Sequence, residues 1–156
     1  MRKGWAEYAS LPLRLVLGFG FAFHGFPKLF SGQGHAMFTG MLESIGVPAA
    51  GLMSWVVGFV EFFGGLALIA GAFVAIVSLL GTVNMLVALF TVHVPHGFNF
   101  MNIQGMSESG PIFGMPGYEV NLLYIAGFAA LALAGAGVWS VDRWLAEKRG
   151  GGAIAS

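Results

Sequence analysis

Four stretches of about twenty mostly apolar residues dominate this chain, at about residues 10–30, 52–71, 73–93 and 119–138. A helix of that length crosses the ~30 Å hydrocarbon layer of a bilayer. The stretches lack two-residue alternation, which favours helix over strand. Inside lipid only a helix or a closed barrel satisfies its own backbone, and four strands cannot close a barrel. Composition agrees: only 9% of the 156 residues are charged and 57% are apolar. Soluble domains average about 25% charged residues, so this chain has too few to wet a surface. The expected fold class is all-α, an integral membrane bundle of four transmembrane helices. It forms one domain over residues 1–149, followed by a disordered tail at 150–156. A formal net charge of zero argues against nucleic acid as a partner, and the bilayer is the expected surrounding. With no cysteine, the chain carries no dithiol, thiolate or iron–sulfur chemistry of its own.

Basic residues set the expected orientation. Arg2 and Lys3 precede the first stretch, and Arg143, Lys148 and Arg149 follow the fourth. The positive-inside rule places both termini in the cytoplasm. Residues 31–51 and 94–118 then face outward. Trp5 and Trp139 suit the cytoplasmic interface and Trp55 the outer one. Arg14 interrupts the first apolar run and no small-x-small site follows it, so a retained helix is expected rather than a cleaved signal. In the first outer connection, MFTGMLES reads as a short helix ended by Gly46 and Pro48. Residues 94–118 are rich in Gly, Met, Phe and Pro with one charge, Glu108, and read as a cap on the outer face of the bundle.

Ionisable groups inside spans are costly and face the bundle interior. Arg14 lies one turn inside the cytoplasmic end, where it either snorkels to headgroups or pairs with an acid. Glu61 is the strongest signal, because it sits roughly 13 Å below the outer surface and is too short to snorkel. Gly58 and Gly65 share its helical face and allow close approach of another helix. Two readings stand for Glu61. Paired with His24 or Arg14 it locks helix register; unpaired, it is a neutral acid. His24 and Lys28 are one turn apart on one face, and Pro27 between them predicts a kink. Lys28 reaches headgroups or pairs with Glu119. Asn84 reads first as a helix–helix hydrogen bond. Ala126, Ala130 and Ala134 form a small-residue stripe for packing.

Together His24, Lys28, Glu61, Asn84, His93 and Glu119 line the outer half of the bundle among Phe and Met side chains. They are the candidate ligand-binding residues. Such a pocket suits a flat amphipathic molecule with carbonyls, such as a quinone, and equally a lipid. No metal site is expected, because Pro95 spoils the His93–His96 pair and no HExxH motif occurs. Bis-histidine haem through His24 and His93 is geometrically open and has no further support. No intrinsic cofactor is expected, and a quinone is the candidate bound group.

The same residues carry a family resemblance. The order Arg14-Leu-Val-Leu-Gly18, His24-Gly25-x-x-Lys28-Leu29-Phe30, Gly46-Val47-Pro48, Glu61-x-x-Gly64-Gly65, Gly71, His93, Tyr118-Glu119-x-x-Leu122-Leu123 and Ser140-x-Asp142 is similar to the DoxX family of small four-helix membrane proteins. The resemblance covers roughly residues 10–142. It implies a multi-pass protein of the bacterial cytoplasmic (inner) membrane in a redox or quinone setting. The family's name comes from a subunit of a thiosulfate:quinone oxidoreductase, and other members are linked to oxidative-stress complexes. Two departures stand out. No basic residue follows the second span, and Gly135-Ala136-Gly137 replaces a Gly-Pro-Gly. Three functions fit: a quinone-binding subunit of a membrane redox complex, a non-catalytic accessory subunit, or a lipid or small-solute carrier. Each implies a membrane protein partner or a homo-oligomer.

Overall fold

The structure is a computed structural model and describes residue 4 and residues 7–151. Arg2, Lys3 and Trp5, which entered the orientation reading, lie outside the described residues, as do residues 152–156. The chain is mostly helical. Helix α1 spans Ser10–Phe30, α2 Gly32–Ser44, α3 Ala50–Ala70 and α4 Val74–Ala88. The last continues through a π turn, Leu89–His93, and a 3₁₀ turn, Val94–His96. Strands β1 (Ile103–Ser107) and β2 (Gly110–Phe113) form an antiparallel hairpin, followed by α5 (Glu119–Ala134) and α6 (Val141–Gly151).

Two helices, Ala50–Ala70 and Val74–His96, are long and apolar enough to cross a membrane. At ~1.5 Å per residue each reaches about 30 Å. The outer surface is inverted relative to a soluble protein. Phe19, Phe23, Phe26, Phe30 and Phe59 are all exposed, with Phe19 at 67%. Such a continuous apolar face is stable only against lipid or another protein.

Glycine decides how the helices meet. The face of α1 at Gly18, Ala22 and Gly25 lies on the face of α3 at Glu61, Phe62 and Gly65. A Cβ on Gly65 would stand 2.5 Å from the Ala22 nitrogen and the Gly18 carbonyl oxygen. A Cβ on Gly58 would meet Leu29 and Lys28 side-chain carbons at 2.8–3.2 Å. The small residues flanking Glu61 thus act as the sequence predicts. On the other side, Gly81 of α4 receives the Phe128 ring of α5, and Gly127 of α5 receives Leu17.

The core is one-ended. Leu17, Phe21, Leu68, Val74, Val77, Phe128 and Leu131 form the buried cluster, towards the end of the bundle where α1 starts and α5 ends. Phe21 and Phe128 meet edge to face at 4.8 Å. Beyond them, towards the hairpin, the helices part around a cavity.

The terminal end is knitted by polar groups. Arg14 is fully buried and donates to the carbonyls of Val138 (3.3 Å) and Trp139 (3.2 Å). It therefore neither snorkels nor pairs with Glu61; a kinked connection supplies carbonyls instead. Gly135 (φ +75°) and Gly137 (φ +68°) produce that kink, which ends α5 at Ala134 rather than near residue 138. Asp142 accepts from the N–H groups of Phe73 (2.8 Å) and Val74 (2.9 Å), capping α4.

Other differences from the sequence reading have local causes. Helix α1 carries Pro27 inside it and runs to Phe30, the expected end of the first span, where the Pro27 carbonyl accepts from Ser31 N–H. The segment after α4 holds a hairpin that an all-α reading omits; its residues Gly105 and Gly110 and the Ser107 side-chain bond to Gly110 O (2.9 Å) suit a tight reversal. The Ala126, Ala130 and Ala134 stripe faces outward, because the inward face of α5 is Asn121, Gly127, Phe128 and Leu131. The MFTGMLES stretch does form the end of α2, and the chain reverses at Gly46 (φ +76°).

The glycine contacts predict a selective stability effect. Gly65→Ala forces α1 from α3 and costs about 1–3 kcal/mol. Gly51→Ala, whose Cβ meets nothing within 4 Å, gains up to ~1 kcal/mol from helix propensity. Thermal unfolding in mild detergent should separate the two in opposite directions.

Candidate functional site

The site is built around Glu61, in the middle of α3 and 5% exposed. One carboxylate oxygen pairs with the Lys28 ammonium. The other accepts from Asn84 Nδ2 of α4 at 3.0 Å. Lys28 and Glu61 side chains are only 13% and 6% exposed. The Phe38 ring of α2 lies 4.3 Å from the ammonium and covers it by a cation–π contact.

The partner of Glu61 is therefore Lys28, not His24 or Arg14. Helix geometry explains the choice. Gly25 of α1 sits on the backbone of Glu61 and Phe62. Side chains on a helix lean towards its N-terminus. Lys28, three residues beyond Gly25, leans back along α1, and its four-carbon stem reaches the depth of Glu61. The same geometry keeps Lys28 from headgroups and from Glu119.

Beside this pair lies a cavity of about 430 Å³. Its floor includes Phe21 and Tyr124, whose rings stack at 5.9 Å. Its walls are mainly Val, Met, Leu and Ala side chains of α2, α4 and α5. Five of the six sequence candidates line it: His24, Lys28, Glu61, Asn84 and His93. Glu119 is not brought to it. Its carboxylate accepts from Phe100 N–H at 3.2 Å and pins the cap.

The cap is the segment expected to cover the outer face. Phe100, Met115, Pro116 and Gly117 close the cavity from above, with Phe38, Leu42 and Ile45 of α2 beside them. The π turn contributes Thr91, Val92 and His93. His93 Nδ1 lies 2.8 Å from Pro116 O. A carbonyl only accepts, so Nδ1 carries the proton and Nε2 is left as an acceptor.

Three further side chains at or beside the cavity were not among the sequence candidates. Asn121 and Tyr124 on α5 line the cavity. Asn121 is 5% exposed, and its closest polar neighbour is Met85 Sδ at 4.0 Å. The Tyr124 hydroxyl lies against Gly20, where a Cβ would collide with it. The i, i+3 spacing of Asn121 and Tyr124 was the available signal, since it puts both on one helical face. His35 of α2 is the third. Its Nδ1 donates to Lys28 O (3.0 Å) beside Ser54 Oγ (3.2 Å), and its ring lies on Trp55 at 4.3 Å. It holds the end of α1 where Lys28 begins its reach. No periodicity flagged it, because it follows a helix break.

Chemically, the wall offers an internally satisfied ion pair and a set of less committed groups. Lys28 and Asn84 each donate to one oxygen of Glu61. Among the described residues, His24 and the Tyr124 hydroxyl make no hydrogen bond. No group of three or more metal-ligating side chains occurs among the described residues.

The family model described as DoxX matches residues 9–94. The match includes Arg14, His24, Lys28, Glu61, Asn84 and His93 and stops before Glu119, Asn121 and Tyr124. No curated protein and no solved structure matches the chain.

The buried pair yields a double-mutant prediction. Glu61→Gln leaves the Lys28 ammonium buried and unpaired, which costs about 3–5 kcal/mol. Adding Lys28→Met should restore most of that stability, because no uncompensated charge remains. Additive losses in thermal unfolding would rule out the pair as drawn.

Proposed function

The chain belongs to the DoxX family, and from that premise we propose that it is a membrane subunit of a quinone-linked redox or oxidative-stress complex that binds quinone in the cavity beside Lys28 and Glu61. The carrying observation is the cavity itself. Ligand sites are typically some 300–1,000 Å³, mostly apolar, with a few placed polar groups. This one has about 430 Å³ with His24, His93, Asn121 and Tyr124 set among apolar side chains. The donor set fits a quinone. Tyr124 and His24 are able to donate to a ring carbonyl, and His93 Nε2 is able to accept from a ring hydroxyl. A bound quinone would supply two-electron, two-proton chemistry. The chain's own residues orient the ring, exclude water and hold protons at its oxygens. Glu61, held by Lys28 and Asn84, is assigned to shaping the wall rather than carrying protons.

The proposed topology is four spans, α1, α3, α4 with its extension, and α5, with both termini in the cytoplasm of a bacterial inner membrane. The two long apolar helices and the apolar outer surface support it. In that frame the cavity lies in the outer half and the hairpin faces the exterior. A second reading, a non-catalytic accessory subunit, is favoured by the outward Ala126, Ala130 and Ala134 stripe, a surface suited to another helix.

Two measurements test these readings. Protein purified in mild detergent should carry stoichiometric quinone on solvent extraction and mass spectrometry. Ala88→Trp, which fills the cavity, should lose it without lowering the melting temperature. Wild-type protein with a stoichiometric protein partner and no quinone would replace quinone binding by the accessory role. Because the chain lacks cysteine, topology is directly testable. In intact cells a membrane-impermeant maleimide should label Ser109→Cys and spare Lys148→Cys; the reverse pattern would invert the topology.

A further inference from the structure

We propose that the cavity selects an uncharged ligand and that Glu61 sets this selectivity by cancelling the charge of Lys28. This rests on the cavity binding a ligand, as read above, and adds the rule by which it discriminates.

The charged groups on the lining are Lys28 and Glu61. They neutralise each other at contact, and each is covered on its remaining side. Asn84 occupies the second carboxylate oxygen at 3.0 Å and Phe38 lies over the ammonium. Glu119, at the start of α5, accepts from Phe100 N–H and does not line the cavity. Arg14 and Asp142 are at the opposite end of the bundle.

An anionic amphiphile entering this space would lose its hydration and find no free cation. The ammonium that would receive it is already bonded, and the carboxylate beside it repels. Burying a charge without a partner is strongly unfavourable. A neutral molecule with carbonyl or hydroxyl groups meets no such penalty, and His24, Asn121 and Tyr124 remain to hydrogen-bond it. Lys28 alone would make the cavity a site for acidic lipids. Glu61 removes that option while leaving the shape intact.

The test compares two probes of similar chain length, decylbenzoquinone and dodecanoate, by equilibrium binding to detergent-solubilised protein. The measurement is made at about pH 8.5, well above the ordinary ranges of carboxylic acids and imidazole. Wild-type protein should prefer the quinone. Glu61→Gln should raise dodecanoate affinity relative to quinone by roughly ten- to a hundredfold, the value of a charge-assisted hydrogen bond. Ala88→Lys adds a cation to the same wall without touching the pair and should shift the ratio in the same direction, which guards against misfolding of the first variant. Equal affinity of wild-type protein for both probes, or an unchanged ratio in both variants, would overturn the proposal. Quinone binding with an unmoved ratio keeps the ligand site and removes Glu61 as its selector. Dodecanoate binding by both variants, with neither probe bound by wild-type protein, keeps the selector and removes the quinone.

Discussion

A carboxylate in an apolar interior is tolerable only with a partner at hand, and Glu61 has two. Lys28 neutralises it from α1 and Asn84 bonds it from α4. The pair forms only because glycines let α1 lie against α3. With a side chain at Gly25 or Gly65, the backbones would stand apart and the lysine stem would fall short. Charge pairing and close packing are thus one device. The pair fixes the register of α1 on α3, and Asn84 ties α4 into it. The Phe38 contact and the His35 bond to Lys28 O then bring α2 over the same point.

The rest of the bundle distributes two tasks between its ends. The terminal end is a packed core, closed by the fully buried Arg14 and the Asp142 cap on α4. The hairpin end is open inside and covered outside. Here α2 and the segment around Pro116 roof the cavity, and Glu119 and His93 hold that roof by hydrogen bonds. A rigid base and a roofed hollow are what a binding site between helices requires. Most polar residues of the apolar spans serve one of these two ends. The membership in the DoxX family accords with this division, since the matched segment contains both Arg14 and the Lys28–Glu61 pair.

Much of the candidate site was legible because intramembrane polar residues are few. Glu61, Asn84, His24, Lys28 and His93 were each identifiable as polar interruptions in an apolar run, and all five reach one cavity. Pairing was less legible. Depth along the helices allowed His24 to meet Glu61, and depth alone does not contain rotation about the helix axis or the backward lean of a lysine. Asn121 and Tyr124 were not among the candidates because their residue types are common at helix–helix contacts. His35 and the hairpin fell in connections, where hydrophobic periodicity carries no information. Gly135-Ala136-Gly137 was visible in the sequence, with Ala136 as its departure from the family pattern, yet the carbonyls this turn directs towards Arg14 were not.

By itself the sequence determined the class of environment, the positions of the long apolar helices and the residues too polar to lie idle there. These follow from local quantities: length, hydropathy and the cost of burying charge. Only the tertiary structure decided which charges cancel, which face of α5 turns inward, and that the hydrogen-bonded cap roofs a cavity of about 430 Å³. Those outcomes depend on contacts between residues far apart in the chain, such as Lys28 with Glu61 and Arg14 with Trp139. Which contacts form is set by how closely helices approach, and that distance is a property of the packed whole.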